Sequence, residues 1–418
     1  MTHERFDEAR EEARAAVAAA VRRAREALIG LSHSLHAEPE TALQEHRSAA
    51  KIASLLQDAD FQVTRGAAGL PTALVATYGT GGLVIAVCAE YDALPDIGHA
   101  CGHNVNGAAA VGAALGLAAV ADAVGITVKL VGTPAEEDIG GKVVLLEAGV
   151  FDDAAAALMV HAAPEDSVGA SSLAVGAWDV TYRGTPAHAA LAPWEGVNAL
   201  DAVVLAHTAV GMLRQQLPPG TLVHDVVHEA GHAVNVIPER ARARYEVRAR
   251  TMDDLLAARR RVRACLEAGA LATGAELELT PHGHDFAELR QDPFLTSAYL
   301  RAARALGREP VSRHGELTAS TDMGNVSHAV PSLHPCIGYD TGGALQHTEG
   351  FTRYGTGPGA DRAVLDGARA LAHAAVELAT DPVRRQDFLQ RVSRRRRTLA
   401  AGPQPPACTV RPSRQVSP

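Results

Sequence analysis

Residues 4–35 carry apolar positions at helical spacing among mixed acids and bases, which predicts one amphipathic helix, and Ser48 to Ala59 predicts another. The texture then changes. Three short apolar runs, LVIAVCAEYDALP (83–95), VKLVGTPAEED (128–138) and ALMVHAAP (157–164), each break into polar residues, with helix-like segments between them. Strand alternating with helix implies an α/β domain, a mostly parallel sheet covered by helices. From Trp178 the order shifts. WDVTYRG reads as a strand, Val197 to Leu217 as a helix, TLVHDVVHEAG and RARARYEVRART as a strand pair, Met252 to Ala272 as a helix and AELELTPHG as a closing strand. This β-α-β-β-α-β order is the split, ferredoxin-like arrangement of an α+β unit. Helix and strand patterning resumes with PFLTSAYLRAARALG and PSLHPCIGYDTGG, so the α+β unit reads as an insertion. The expected division is 1–177 and 290–392 for the sheet domain, 178–289 for the insert, and 393–418 for a disordered basic tail.

Composition narrows the class. A chain of 418 residues exceeds one ordinary core, so two domains are expected. Lys plus Arg number 39 against 48 Asp plus Glu, a net charge of -9, which suits solubility and argues against nucleic acid as a partner. The RRRR of the tail is the exception, and its reading as an RNA or membrane-surface contact is the weaker one, because four arginines in a polar tail are ordinarily just solvated. Five scattered cysteines without CxxC spacing make a disulfide framework improbable and point to a cytoplasmic location. The N-terminus has no apolar h-region, and the run Ala108 to Val124 is Ala/Gly-rich and interrupted by Asp122, so it reads as a buried helix and not a membrane span.

In open α/β sheets ligands gather beyond the carboxyl ends of the strands. After LVIAVCA come Glu90 and Asp92, then Cys101 and His103; after VKLVG come Glu136 and Glu137; after ALMV comes His161; after PCIGYDTGG comes His347. Each piece alone has a bland alternative. Thr133-Pro134-Ala135-Glu136 fits a capping box, Cys101 an ordinary buried thiol, His161 a satisfied core histidine and His347 plain loop surface. Four strand ends carrying metal-ligand types to one edge make the joint coincidence improbable. A nucleophilic Cys101 with His103 as its base is disfavoured, since residues two apart on a loop seldom face each other and no third group orients the imidazole. Thiolate, imidazole and carboxylate together suit Zn, or Mn where two ions share a site. Asp92 is cast as a partner that orients an imidazole, or as a bystander. Adjacent Glu136 and Glu137 point in different directions, so one can bind metal while the other takes a proton from an attacking water.

Further motifs carry a resemblance: LHAEPETALQEH, AEYDALPDIGHACGHN, GTPAEED, MVHAAP, GTPAHAALAPWEGVNAL, VNVIPERARARYEVRAR, STDMGNVSHAVPSLHP and TGGALQHTEG. Together they resemble the aminoacylase and carboxypeptidase G metallopeptidases (peptidase family M-twenty), in the amidohydrolase subfamily and closest to its aminobenzoyl-glutamate hydrolase and β-alanyl-lysine dipeptidase branch. The resemblance implies a zinc-exopeptidase-like catalytic domain with an inserted lid that dimerises. It implies that Cys101, His103, Glu137, His161 and His347 hold two divalent ions, Zn or Mn, with Glu136 as general base. It further implies that His188 reaches into the partner's active site to stabilise the oxyanion, and that Asn235, Arg248 and Gly343 bind substrate. The chain departs from many relatives in having Asn104 for an aspartate and Gly107 for a histidine, and from the wider clan in having Glu90 for a histidine, which leaves the roles of Glu90 and Asp92 open. The expected function is a cytoplasmic, homodimeric, metal-dependent amidohydrolase or dipeptidase acting on N-acyl amino acids or small dipeptide-like conjugates. The alternative is a non-catalytic metal- or ligand-binding protein on the same fold.

Overall fold

The run Leu83–Ala89 forms a buried strand inside a six-stranded sheet of the protein, whose structure is a computed structural model describing residues 3–401. Strands β1 (Gln62–Arg65), β2 (Leu74–Tyr78), β3 (Leu83–Ala89), β4 (Ile126–Gly132) and β5 (Ala156–Leu158) lie in the order β1-β2-β4-β3-β5, with Ser332–Leu333 beyond β5. From β4 across to Ser332–Leu333 the pairs are parallel, while β1 and β2 form an antiparallel edge. Ile85 and Val87 of β3 enter one core, and Ala86 and Cys88 enter another on the opposite face. A strand buried on both faces must be apolar throughout, which is why β3 shows no alternation.

The helices of the first part are α1 (His3–Arg23), α2 (Arg25–Ala37), α3 (His46–Gln57), α4 (His103–Ala118) and α5 (Gly141–Glu147). The insert contributes α6 (Ala199–Leu213) and α7 (Met252–Thr273), and the last part α8 (Pro293–Ala305), α9 (Met323–Ala329), α10 (Pro358–Thr380) and α11 (Pro382–Ala401). Helix α4 is the central helix. It packs between β3 and α10, and a Cβ on Gly112 would meet Ala368 at 2.8 Å and Leu28 at 2.9 Å, so its Ala/Gly composition is what lets three helices close on one another. The single helix expected over 4–35 is instead two, because Ala24 at φ −81°, ψ 0° interrupts it, and both halves pack on α4 and α10.

The insert is ferredoxin-like as expected. Strands β6 (Ala174–Arg183), β7 (Leu222–Glu229), β8 (Arg240–Ala249) and β9 (Glu276–Phe286) run in the order β7-β8-β6-β9, antiparallel throughout, with α6 and α7 against one face. Alternation along β8 sends Ala243, Tyr245 and Val247 into the core under those helices. Arg244, Glu246 and Arg248 consequently point the other way, toward the catalytic domain.

The basic tail needs correction. Residues 393–401 are not disordered but complete helix α11, and Arg395 donates to the main-chain carbonyls of Asp152, Ala154 and Ala329. Its guanidinium hydrogen-bonds three main-chain carbonyls, a docking that a count of arginines does not reveal. The remainder of that expected tail, 402–418, lies outside the described residues.

Candidate metal centre and active site

Each parallel strand ends by handing polar side chains to one edge of the sheet. β3 is followed by Glu90 and Asp92, both buried. The chain then turns through Gly102 into α4, whose first residue is His103. Gly102 has φ +73°, and a Cβ there would stand 2.5 Å from Ala162, so only glycine lets the Cys101 loop lie against the His161 strand. Beyond β4, Thr133 ties the next turn to β3, its N–H and hydroxyl donating to the Ala89 carbonyl at 2.8 and 3.0 Å. Ala135 sits at φ +57°, a left-handed conformation costing roughly 1–2 kcal/mol for a residue with a Cβ. Glu136 and Glu137 come next. The capping-box alternative fails, because α5 starts later, with Gly140 as its N-cap.

The five expected ligands converge. Ligand atoms of Cys101, His103 and His161 lie within 4.8 Å of one another, and so do those of Cys101, Glu137 and His347; the thiol belongs to both groups. His103 Nδ1 hydrogen-bonds to Asp92, 2.9 Å from its carbonyl and 3.1 Å from Oδ1, which turns Nε2 into the centre. There Nε2 is 3.4 Å from Glu90 Oε2 and 4.0 Å from carboxylate oxygens of Glu136 and Glu137. Asp92 also accepts the Glu137 N–H at 3.0 Å, so it orients two ligands at once. His161 Nδ1 lies 2.9 Å from the Ala162 carbonyl, which likewise frees Nε2, and Glu137 Oε2 is 3.7 Å from His347 Nε2.

Two buried atoms here, His103 Nε2 and Glu137 Oε1, have no hydrogen-bond partner. An orphaned buried polar atom costs about 1–3 kcal/mol, so cations coordinated by these atoms fit the site. Charge points the same way. Burial, then Glu90 and Glu137, pushes Glu136 well above the usual carboxylate range, and burial together with Glu137 does the same to the Cys101 thiol. Burial opposes a charge on His103, yet Asp92 and Glu90 hold it well above the ordinary imidazole value, while burial drops His161 to about 3. Carboxylates this crowded repel one another unless positive charge enters, and a set of sulfur, nitrogen and oxygen donors is that of a transition-metal ion.

Behind the centre lies a buried triad that sequence reading missed. Lys142 Nζ is 2.6 Å from Glu90 Oε1 and 2.6 Å from Asp322 Oδ1, with all three side chains wholly buried. Glu90 also accepts from Asn106 at 3.1 Å, so its structural partners are Lys142 and Asn106. A lone lysine at a helix start and an aspartate in STDMG carried no signal of meeting. His334 was missed as well: it stacks on His161 at 5.7 Å between ring centroids, and its Nε2 is buried without a partner.

A cavity of about 690 Å³ covers the centre, floored by Cys101, Glu136 and His161 and roofed by Glu246, Arg248 and His282 of the insert. Arg248 is braced by Glu246 at 2.7 Å and Ser320 at 3.2 Å. The other residues expected at the substrate are elsewhere. His188 and Asn235 sit together on exposed loops of the insert, joined through the Ala189 N–H to the Asn235 carbonyl at 3.0 Å, and Gly343 is exposed at φ +83°; none of the three lines the cavity.

Comparison with known proteins agrees with this geometry. Residues 86–377 match the model of Peptidase family M20/M25/M40. The Xaa-Arg dipeptidase of Mus musculus is 38% identical over 378 residues, covering 86% of this chain and 87% of its own. One of the polypeptides of the p-aminobenzoyl-glutamate hydrolase of Escherichia coli (strain K12) is 36% identical over 263 residues, 57% of this chain and 54% of its own. In fold, the aminobenzoyl-glutamate utilization protein of Klebsiella pneumoniae superposes with a TM-score of 0.67 at 20% identity, and a dinuclear metal-binding peptidase from Bacillus subtilis with 0.64 at 24%; they cover 87% and 85% of this chain and 98% of their own. The chain is a hydrolytic enzyme belonging to peptidase family M20/M25/M40.

Proposed function

We propose that this metal-dependent dipeptidase or amidohydrolase cleaves the amide of a small substrate ending in a free carboxylate, using two divalent ions, Zn or Mn, held by Cys101, His103, Glu137, His161 and His347. The observation that carries the reading is the thiol shared by the Cys101–His103–His161 and Cys101–Glu137–His347 groups, with Glu136 beside them, its carboxylate grouped with His103 and Glu137 on one side and with Glu90 and Asp322 on the other. Bound there, the ions supply a Lewis acid for the scissile carbonyl and lower the pKa of a water. Glu136 would accept a proton from the attacking water as the water's oxygen adds to the carbonyl carbon, and would deliver that proton to the amide nitrogen as the C–N bond breaks. Arg248, fixed by Glu246 and Ser320, holds the substrate carboxylate.

Identity to the Xaa-Arg dipeptidase over most of both chains favours dipeptides with a basic C-terminal residue over acyl-glutamates. His188 and Asn235 act from a second copy, His188 on the oxyanion and Asn235 on the substrate, with Gly343 near the substrate in the loop before His347. Support for a homodimer comes from the insert: Val204, Leu205 and Met212 of α6 and Leu222, Val226 and Val227 of β7, an edge strand, are all exposed. Among the described residues no helix is long and apolar enough to cross a membrane, and the cysteines there are free, in keeping with a cytoplasmic enzyme. The test is amide cleavage across dipeptides and N-acyl amino acids, with and without chelator. Turnover abolished by chelator and restored by Zn or Mn is expected; turnover indifferent to exhaustive metal removal overturns the reading.

A further inference from the structure

Glu45, in the LHAEPETALQEH segment, is wholly buried, and one of its oxygens accepts the Ala135 N–H at 2.8 Å across 90 residues of sequence. It stands at the N-cap of α3 yet makes no capping hydrogen bond to that helix. Glu40 performs that service instead, taking the Arg47 N–H at 3.1 Å and the Ser48 N–H at 2.8 Å. The Glu45 carboxylate is thus left for the turn after β4, where Ala135 has φ +57° and immediately precedes Glu136 and Glu137. Two residues on, the Glu137 N–H is taken by Asp92 at 3.0 Å. Alternate amides of one strained turn are therefore clamped by two buried carboxylates from different parts of the chain. Without the Glu45 clamp, an alanine returns to right-handed or extended backbone, and the two glutamates that follow swing away from their present directions.

We infer that Glu45 is a positioning residue of this active site: its carboxylate holds Ala135 left-handed, and that conformation sends Glu136 toward the reacting water and Glu137 toward the metal ligands. The inference rests on the roles proposed above for those two glutamates. What matters is reach and an acceptor oxygen, not charge. Glu45→Gln keeps both. Glu45→Asp keeps the charge but is one methylene short of Ala135, and Glu45→Ala removes the acceptor.

The three variants are compared with wild type for kcat and KM on the best dipeptide, for Mn and Zn content per chain, and for metal affinity by chelator competition. Loss of an outer partner of a metal site weakens metal binding or activity about 10–100-fold. E45D and E45A are expected to lose that much in kcat at saturating metal with KM little changed, and to bind metal more weakly, while E45Q stays within about 3-fold of wild type on the same scale. If E45A does not fold, the E45Q and E45D pair decides. An active E45D with an inactive E45Q overturns the inference, since charge would then be what counts; so do wild-type kcat and metal affinity in E45D. Absence of amide turnover in the wild type would overturn the role of Glu136 instead, and the metal affinities would still decide whether Glu45 places Glu137.

Discussion

Replacing Lys142 by methionine tests whether the buried triad is a charge-balancing support. Met has nearly the same length and no charge, so the variant leaves Glu90 and Asp322, both wholly buried, without the ammonium that now lies 2.6 Å from each. Removing one partner of a buried ion pair destabilises by about 3–5 kcal/mol, because the remaining charge stays desolvated. At roughly 2–4 °C per kcal/mol for a domain of this size, Tm falls by about 6–20 °C. The assay is thermal unfolding of chelator-treated protein from pH 4 to 8. In the wild type, burial opposes the charge of Glu90, but Lys142 draws its pKa below the ordinary value, so that pair contributes stability at neutral pH that is lost on acidification. In K142M the buried carboxylates have raised pKa values, so the variant recovers as they protonate. The gap between the two proteins is therefore widest at neutral pH and narrows toward acid. A Tm within about 2 °C of wild type at pH 7, or a gap that does not narrow, would refute the reasoning.

Cys101→Ser should reduce bound metal at both positions at once, read as ions per chain by elemental analysis, because the thiol belongs to both ligand groups. Metal affinity should fall with falling pH over the neutral to acid range, measured by chelator competition: the Cys101 thiol and His103 both bind protons more tightly than usual, and these must leave before metal enters. Arg248→Lys keeps the charge and loses the planar fork, so KM for carboxylate-ended substrates should rise about 10-fold with kcat little changed. Given the proposed homodimer, Val226→Asp with Val227→Asp, on the exposed edge strand, should leave a monomer in sedimentation and lower turnover with it.

Much of this was legible in the sequence, for identifiable reasons. Runs such as LVIAVCA and VKLVG end abruptly in acids, and the rule that ligands gather at strand ends then places Glu137 and His161 at one edge. The insert was readable because its strands and helices are amphipathic in their own periods. Contacts between such places were not readable. Lys142 meets Asp322 across 180 residues through two hydrogen bonds and Glu45 meets Ala135 across 90 through one, contacts that leave no periodic trace. Arg395 looked solvated because nothing in RRRR announces the carbonyls it docks on. His188 and Asn235 are outside the cavity of this chain, so the role proposed for them at the substrate depends on the proposed second copy.

The central claim is that one glutamate works beside a metal pair it does not bind. Elemental analysis and dipeptide turnover, measured on the same preparation of Glu136→Gln, test it most directly. Two ions per chain with kcat reduced by about 10²–10⁴-fold is the expected result. Turnover close to wild type, or loss of the metal together with the activity, would contradict it.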